Sequence, residues 1–539
     1  MNRGIIIFCL FCMQMPACMA SNVAQAGSPE RPPNVILIIC DDLNDYVEGY
    51  GGHPQARTPE ITRLIQSGVL FTQAHSNIPI CGPSRASLFT GIYPHHSGCF
   101  GFTRWDRFPV LKHSRTLMAH FRANGYQTLG TGKLMHHLVR SEWDEYGNPA
   151  DYGPFAFDGQ KRLAHPKVPK PFSEIGPVDG SFGPLEDLAS YQLPGKKALR
   201  WQTGSRDNIR ILGVGSETDR DSTSDELNGA WAVDKLRTFI RQASHKPFFM
   251  GVGFIRPHTP LIVPERFFDL FPLEDIELPK IRPDDVDDTH ARSVRGIPNG
   301  KEPYSTRTAD MGLRLYQHLV DSFSTREEAL KQFIQAYLAS VASVDEQIGK
   351  ILDTVEHTSL RNNTIIVLTS DHGWGMGEKD YLYKNALWQE STQIPLIIRA
   401  PGVAAKGTRC DHPVSLIDLY PTLVDLCDLS QETRINAGGH PLDGHSLRPF
   451  LEQATRQDWE GPAAALTALY RWAEAHPPAE QSYALRGRKW RYIRYSNGRE
   501  ELYDTHDDPY EWHNLADRPE QHAELKGLRK RLMTRIKTP

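Results

Sequence analysis

The chain has 539 residues, 39% apolar and 23% charged, with a formal net charge of −4 at pH 7. That length exceeds what one hydrophobic core usually supports, so two domains are expected. The near-neutral charge excludes a general electrostatic case for nucleic acid or an anionic membrane, and an anionic substrate would need a local basic pocket.

At the start of the chain, Arg3 precedes the apolar run Ile5 to Cys12, and Ala24-Gln25-Ala26 reads as a small-x-small cleavage site. Residues 1–26 are therefore expected to be a signal peptide, with the rest exported to the periplasm or secreted. The apolar run is too short and interrupted for stable membrane insertion. Cys9, Cys12 and Cys18 would leave with it, while Cys40, Cys81, Cys99, Cys410 and Cys427 remain. An odd remainder fits one modified thiol. Cys410 and Cys427 are one available pair, and sequence does not settle the connectivity.

Asn34 to Cys40 is a continuous β-branched apolar run, which predicts a strand buried on both faces. Asp41 and Asp42 follow at its C-terminal end. Adjacent carboxylates there suit Ca²⁺ or Mg²⁺, and an Asx turn is the other reading. Thr58 to Gly68 predicts a helix ending at a glycine cap. Cys81-Gly-Pro-Ser-Arg85 then opens a helix that Gly91 closes, with Pro83 suited to its first position. Partial positive charge at that end, with Arg85 nearby, favours an anion at position 81 and a lowered thiol pKa. A small buried cysteine beneath a helix is the plainer alternative.

Gly125 to Gly132 predicts a strand, with Lys133 and His136 in the turn beyond it and His137 adjacent. From Leu138 to about Asp225 no periodicity is visible, which predicts functional loop rather than core. A helix over 225–242 and a strand over 247–254 lead into Arg256-Pro257-His258-Thr259-Pro260. A histidine between prolines has little freedom, which suits a positioned acid or base; capping is the other reading. After a polar insertion over 279–312 comes a long helix over 325–357. A second buried strand, 363–370, delivers Asp371-His372-Gly373, and Lys384 precedes the next core strand. Arg486 to Tyr495 predicts one strand, Asn497-Gly498 a hairpin turn, and an amphipathic helix closes the chain.

Cys81-x-Pro-Ser-Arg85 followed by Ala-Ser-Leu-Phe-Thr-Gly91 resembles the signature of the type I, formylglycine-dependent sulfatases. Asp41-Asp42, Gly132-Lys133 with His136, Pro257-His258-Thr-Pro260, Asp371-His372, and Lys384 before Glu390-Ser-Thr resemble the family's other blocks. The spacing of Lys133 and His136, and the histidine at 372, resemble the iduronate-2-sulfatase-like branch. The resemblance implies an α/β, alkaline-phosphatase-like fold: an open mixed sheet flanked by helices. It also implies a catalytic domain over 27–452 and a smaller C-terminal α+β domain over 453–539, carrying an antiparallel sheet.

The resemblance further implies that a formylglycine-generating or equivalent maturation enzyme converts Cys81 to formylglycine. Asp41, Asp42, Cys81, Asp371 and His372 would hold one Ca²⁺, and Arg85, Lys133 and Lys384 would complete a positive cage around the sulfate. The hydrated aldehyde would attack sulfur, His258 would protonate the departing sugar oxygen, and His136 would remove the remaining diol proton to expel sulfate. The substrate implied is a sulfated carbohydrate, such as a glycosaminoglycan uronate 2-O-sulfate or an algal galactan or fucan. Two other readings stand: a phosphoester or phosphonate monoester hydrolase of the same superfamily, and an inactive exported polysaccharide-binding protein. Past the nucleophile helix, Arg104 and Arg107 suit a carboxylate or sulfate and Trp105 a sugar ring. An ordinary surface loop, its arginines paired with Asp106, is the alternative.

Overall fold

Val35 to Cys40 are fully buried, and alternate residues feed two different cores. Ile36 and Ile38 join the cluster beneath the helices Pro59–Ser67 (α1), Ser224–Gln242 (α3) and Arg326–Glu356 (α4). Val35, Leu37 and Ile39 join the cluster beneath Cys81–Thr90 (α2). A strand covered on both faces has no polar positions to alternate, which is why its sequence is apolar throughout. The computed structural model describes residues 1, 31–191, 198–204, 208–242, 246–289, 305–469 and 477–537. The expected signal peptide, apart from Met1, lies outside the described residues.

The main sheet takes β1 (Asn34–Cys40), β2 (Val69–His75), β3 (Gln127–Gly132) and β4 (Glu145–Pro149) from the first part of the chain. It adds β5 (Phe248–Phe254), β6 (Thr364–Ser370), β7 (Gln393–Arg399), β8 (Thr408–Cys410) and β9 (Val414–Ser415). The order is β8-β2-β7-β6-β1-β5-β3-β4, with β9 also on β2. β1 is parallel to β5 and β6, β5 is parallel to β3, and β7 is antiparallel to both β6 and β2. The C-terminal ends of β1, β2, β3, β5 and β6 therefore share one edge. Asp41, Lys133, Asp371 and the segments leading to Cys81 and His258 all leave the sheet there, where open α/β sheets place their sites.

A second sheet is antiparallel and runs in chain order through Ala465–Leu469, Ser482–Arg486, Trp490–Arg494 and Glu500–Asp504. Leu525, Leu528 and Leu532 of the last helix, His522–Arg535 (α5), pack on it in one cluster with Ile78, Ile80 and Tyr93. The Ala468 N–H donates to the Asn77 carbonyl (2.8 Å), and the Thr467 hydroxyl donates to that of Ser76 (2.7 Å). The small sheet thus braces the segment that carries the nucleophile. No helix among the described residues is long and apolar enough to cross a membrane.

Several expectations need correction. α2 begins at Cys81, so Pro83 occupies the third helical position, still inside the first turn where its missing N–H costs nothing. Gly91 does close α2 in the left-handed conformation (φ 70°). Gly68 caps α1 as expected, with extended backbone; a Cβ there would meet the Ile398 carbonyl oxygen at 2.6 Å, so close approach requires the glycine. The stretch read as loop contains a four-stranded sheet built from Phe155–Phe157, Arg162–Leu163, Arg200–Thr203 and Arg210–Leu212. Such short strands carry no visible period. The strand expected over 486–495 is split at Gly487, whose N–H donates to the Trp490 carbonyl (2.8 Å). The polar insertion is entered at its far end by a helix, Ser305–Asp321, while 290–304 lie outside the described residues. Cys410 and Cys427 do not pair: Cys40, Cys81, Cys99, Cys410 and Cys427 are all free and buried.

Candidate active site

The site begins with two strand ends and one arginine. Arg85, fully buried in α2, donates through Nη2 to Asp41 (2.9 Å) and through Nε to Asp371 (2.8 Å). A second η nitrogen donates to the carbonyls of Lys133 and Leu134. One planar fork thus ties together the ends of β1, β6 and β3, which a lysine cannot do. Removing it would take from buried Asp371 its arginine and leave Asp41 with Lys133 alone, at a cost of about 3–5 kcal/mol. The hydroxyls of Ser76 and Ser84 both donate to the Asp371 carbonyl (2.7 Å each) and lock the start of α2 against β6.

Around this frame the expected residues converge. Lys133 Nζ contacts Asp41 and lies 4.8 Å from the Tyr152 ring centre. Lys384 Nζ donates to Asp42 (2.9 and 3.0 Å) and to Cys81 Sγ (3.2 Å). His372 Nε2 is 3.3 Å from Cys81 Sγ, 3.4 Å from Asp42 and 3.6 Å from Asp371. Its Nδ1 donates to the Gly373 carbonyl (3.1 Å), so Nε2 is the nitrogen that faces the cluster. Asp42 reaches this position with a positive φ of 63°, a conformation aspartate tolerates better than most residues. His258 Nε2 is 3.7 Å from Asp42, and its Nδ1 donates to the Thr259 carbonyl (2.5 Å). Asp225 at the start of α3 fixes that loop by accepting the N–H groups of Ile255 (2.8 Å) and Arg256 (2.9 Å).

Burial sets the protonation states. The Cys81 thiol is pushed above its ordinary value by desolvation, which Lys133 and Lys384 only partly offset. The expected lowered pKa is thus corrected: helix end and lysines do not outweigh the loss of water. Desolvation also raises Asp41, but Lys133 and Arg85 outweigh it and hold that carboxyl well below the usual range. Asp42 is pushed up to about 8, chiefly by burial, against the pull of Lys384 and His372. Burial opposes the charge on Lys133 and Lys384, yet Asp41 and Asp42 keep both pKa values raised. His258 is held well below its ordinary value by burial and by Lys384.

Asp41, Asp42 and Asp371 face Arg85, Lys133 and Lys384, so the carboxylates already have compensating charge. A bound divalent cation would make the cluster positive overall, the sign an anionic ester needs. Donor atoms of Asp41, Asp42, Cys81 and His372 lie within 4.8 Å of one another. Two of these donors are carboxylate oxygens, with a third carboxylate, Asp371, beside them; once an oxygen replaces the sulfur at position 81 the set fits a hard cation of the calcium class. Asp371 stands beside the group, held by Arg85.

Other expected residues stand apart. His136 is exposed at the rim, its ring 5.0 Å from those of Phe102 and His137. Partial desolvation of the ring nitrogens, and then the Lys133 charge, lowers its pKa. Trp105 is only 7% exposed and packs within the core, so it presents no face to a sugar. Arg104 is bound to Asp106 by two hydrogen bonds (3.1 and 2.6 Å), and Arg107 is exposed. Sequence reasoning missed Phe102, which is 45% exposed beside His136, and Tyr152, which lies between Lys133 and the His258 ring (4.9 Å). Tyr152 sits in the aperiodic stretch, where no pattern could single it out.

Comparison with known proteins agrees with this geometry. The sulfatase family model matches residues 33–429, and the model described as N-sulphoglucosamine sulphohydrolase, C-terminal, matches 377–538. A sulfatase of Formosa agariphila is 30% identical over 97% of this chain and 90% of its own. A choline-sulfatase of Rhizobium meliloti is 28% identical, covering 90% of this chain and 83% of its own. Human iduronate 2-sulfatase is also 28% identical, covering 80% and 76%. Among solved structures, a phosphonate monoester hydrolase from Silicibacter pomeroyi superposes with a TM-score of 0.66 at 21% identity, over 93% of this chain and 94% of its own. That likeness establishes the alkaline-phosphatase-like fold. With the family model spanning the sheet and every buried residue of the cluster, the chain belongs to the sulfatase family and is a sulfuric ester hydrolase.

Proposed function

We propose that this sulfatase is exported, matures by conversion of Cys81 to formylglycine, binds one Ca²⁺, and removes sulfate from a carbohydrate. The observation that carries the reading is Cys81 Sγ at the start of α2, between Lys384 Nζ (3.2 Å) and His372 Nε2 (3.3 Å). Asp41, Asp42, His372, Asp371 and position 81 itself would hold the cation. When present, the cation draws charge from the ester oxygens, and the hydrated formylglycine supplies a hydroxyl nucleophile that a neutral thiol does not. Lys133, Lys384 and Arg85 are the fixed positive groups for the charge that develops on the sulfate oxygens. Removal of residues 1–26, a catalytic domain over 27–452, a C-terminal domain over 453–539 and a maturation enzyme belong to the same reading. The carbohydrate class is supported by the iduronate 2-sulfatase relative. Sulfate release from a panel of defined sulfated sugars, with matched phosphate esters, tests it. Release of sulfate from a uronate 2-O-sulfate or an algal galactan is expected. Release confined to choline sulfate or to the phosphate esters would overturn the substrate class.

His258 is assigned as the proton donor to the leaving sugar oxygen. Burial, and then Lys384, favour the neutral ring, whose one N–H is on Nδ1; as an anionic ester binds beside Lys384 the ring would take a proton from solvent on Nε2, and that is the proton it passes to the leaving oxygen. His258→Ala should lower turnover of a sugar sulfate by about 10²–10⁴-fold, because an alkoxide is a poor leaving group without a proton. An activated aryl sulfate, whose phenolate leaves unaided, should lose far less. Equal losses on both substrates would assign His258 to binding.

In place of Trp105, Phe102 offers the exposed aromatic face at the mouth. Phe102→Ala should lower kcat/KM for a sulfated oligosaccharide about fivefold, matching roughly 1 kcal/mol of stacking. Inhibition by inorganic sulfate, which needs only the cationic pocket, should be unchanged. Weakened sulfate inhibition would mean that Phe102 supports the pocket instead of the sugar.

A further inference from the structure

Away from the reaction site, a second group of metal-type donors joins two segments that the function above does not use. His96 lies in the short helix Pro94–Ser97, and His440 and Asp443 lie in the loop that precedes the helix Arg448–Glu452. One donor atom from each falls within 4.8 Å of the other two. His96 Nδ1 is 2.8 and 2.9 Å from the two Asp443 oxygens, and His440 Nδ1 is 3.6 Å from one of them. The two imidazoles are stacked, with centroids 4.6 Å apart. Around a tetrahedral zinc with bonds of about 2.0–2.1 Å, donors stand roughly 3.3 Å apart. The observed spacings straddle that value, so small side-chain shifts suffice.

The backbone prepares the carboxylate for this role. Asp443 accepts the Tyr93 N–H (2.7 Å), and its own N–H donates to the Gly91 carbonyl (2.9 Å), the residue that ends the nucleophile helix. The side chains of His96, His440 and Asp443 remain 15%, 22% and 9% exposed, enough for an ion to enter and for water to complete its shell. A hydrogen-bonded His–Asp pair would need only His96. Nothing in such a pair accounts for a second imidazole stacked on the first, with a nitrogen turned within reach of the same carboxylate. Its Nδ1 donates to the carbonyl of the next residue, Pro441 (2.8 Å), a hydrogen bond that a metal ion at this nitrogen would replace.

We propose that His96, His440 and Asp443 bind a first-row transition-metal cation of the Zn²⁺ class, which fastens the 440–443 loop to the end of α2. Two imidazoles and one carboxylate form a nitrogen-rich set that suits zinc, whereas the reaction site, resting on the proposed formylglycine at position 81, offers mainly oxygen donors and suits calcium. The two sites are therefore separable by cation.

The test is equilibrium dialysis of the full chain against Zn²⁺, with Ca²⁺ in large excess to occupy the reaction site and metal content read by mass spectrometry. Wild type should retain one zinc per chain. His440→Gln and His96→Gln should each weaken that binding at least about tenfold, and Asp42→Asn should leave it unchanged. Co²⁺ in place of zinc should give the visible absorption of a tetrahedral site, lost in the same two variants. Using both histidine variants guards against one failing to fold, and His440→Gln should still release sulfate at the wild-type rate. No zinc retained by wild type would overturn the proposal. So would zinc that His440→Gln keeps and Asp42→Asn loses, since it would then sit at the reaction site.

Discussion

Replacing Cys81 with alanine should lower sulfate-ester turnover by about 10⁴-fold or more, while the protein folds as before. The size follows from removing the nucleophile itself from a set of residues that act as a unit. The intact fold follows from what the Sγ touches: Lys384, His372 and the edge of Asp42, none of them part of the apolar core. Compared in chelator, where the contribution of position 81 to cation binding is absent, thermal unfolding should therefore move by no more than roughly 1 kcal/mol. A Cys81→Ala protein that keeps a tenth of wild-type turnover would place the nucleophile elsewhere. A variant that loses both turnover and its cooperative melt would leave Cys81 as a structural residue.

Chelation carries the second large effect. A cation that binds only the folded chain stabilises it by about 2.7 kcal/mol at a hundredfold excess over its dissociation constant. A chelator should therefore lower the melting temperature as well as turnover, and added Ca²⁺ should restore both. Asp42→Asn separates the causes. The amide also removes the counter-charge of buried Lys384, which donates twice to Asp42, so some stability is lost even without the cation. The variant should melt at or below chelated wild type and fail to respond to Ca²⁺. Unchanged melting and turnover in chelator would remove the cation from the account.

Much of this site was legible in the sequence because burial on both faces leaves an unmistakable trace. Asn34 to Cys40 and Thr364 to Ser370 read as strands for that reason, and the acidic residues that follow them fall at the same sheet edge. Lys133 and His258 were legible because Gly132 and the prolines around His258 fix where each side chain leaves the sheet. What the sequence withheld depends on contacts between distant segments. Nothing local distinguishes Trp105, which turns into the core, from Phe102, which faces the mouth. The Cys81 thiol was expected to have a lowered pKa because a helix start and Arg85 are visible in the sequence; complete burial, which is not, decides the sign. Gly68 was legible as a helix cap, but not the backbone of β7 lying against it, which is what requires a glycine there. The short strands between Phe155 and Leu212 are held by their neighbours and not by any period of their own.

The most direct test of the central claim is the mass of the peptide that contains Cys81, taken from protein whose sulfate release has been measured. Conversion of the thiol to formylglycine lowers that mass by about 18 Da, and the modified fraction should scale with specific activity from one preparation to the next. Full sulfate release from protein carrying only the unmodified cysteine would contradict the account.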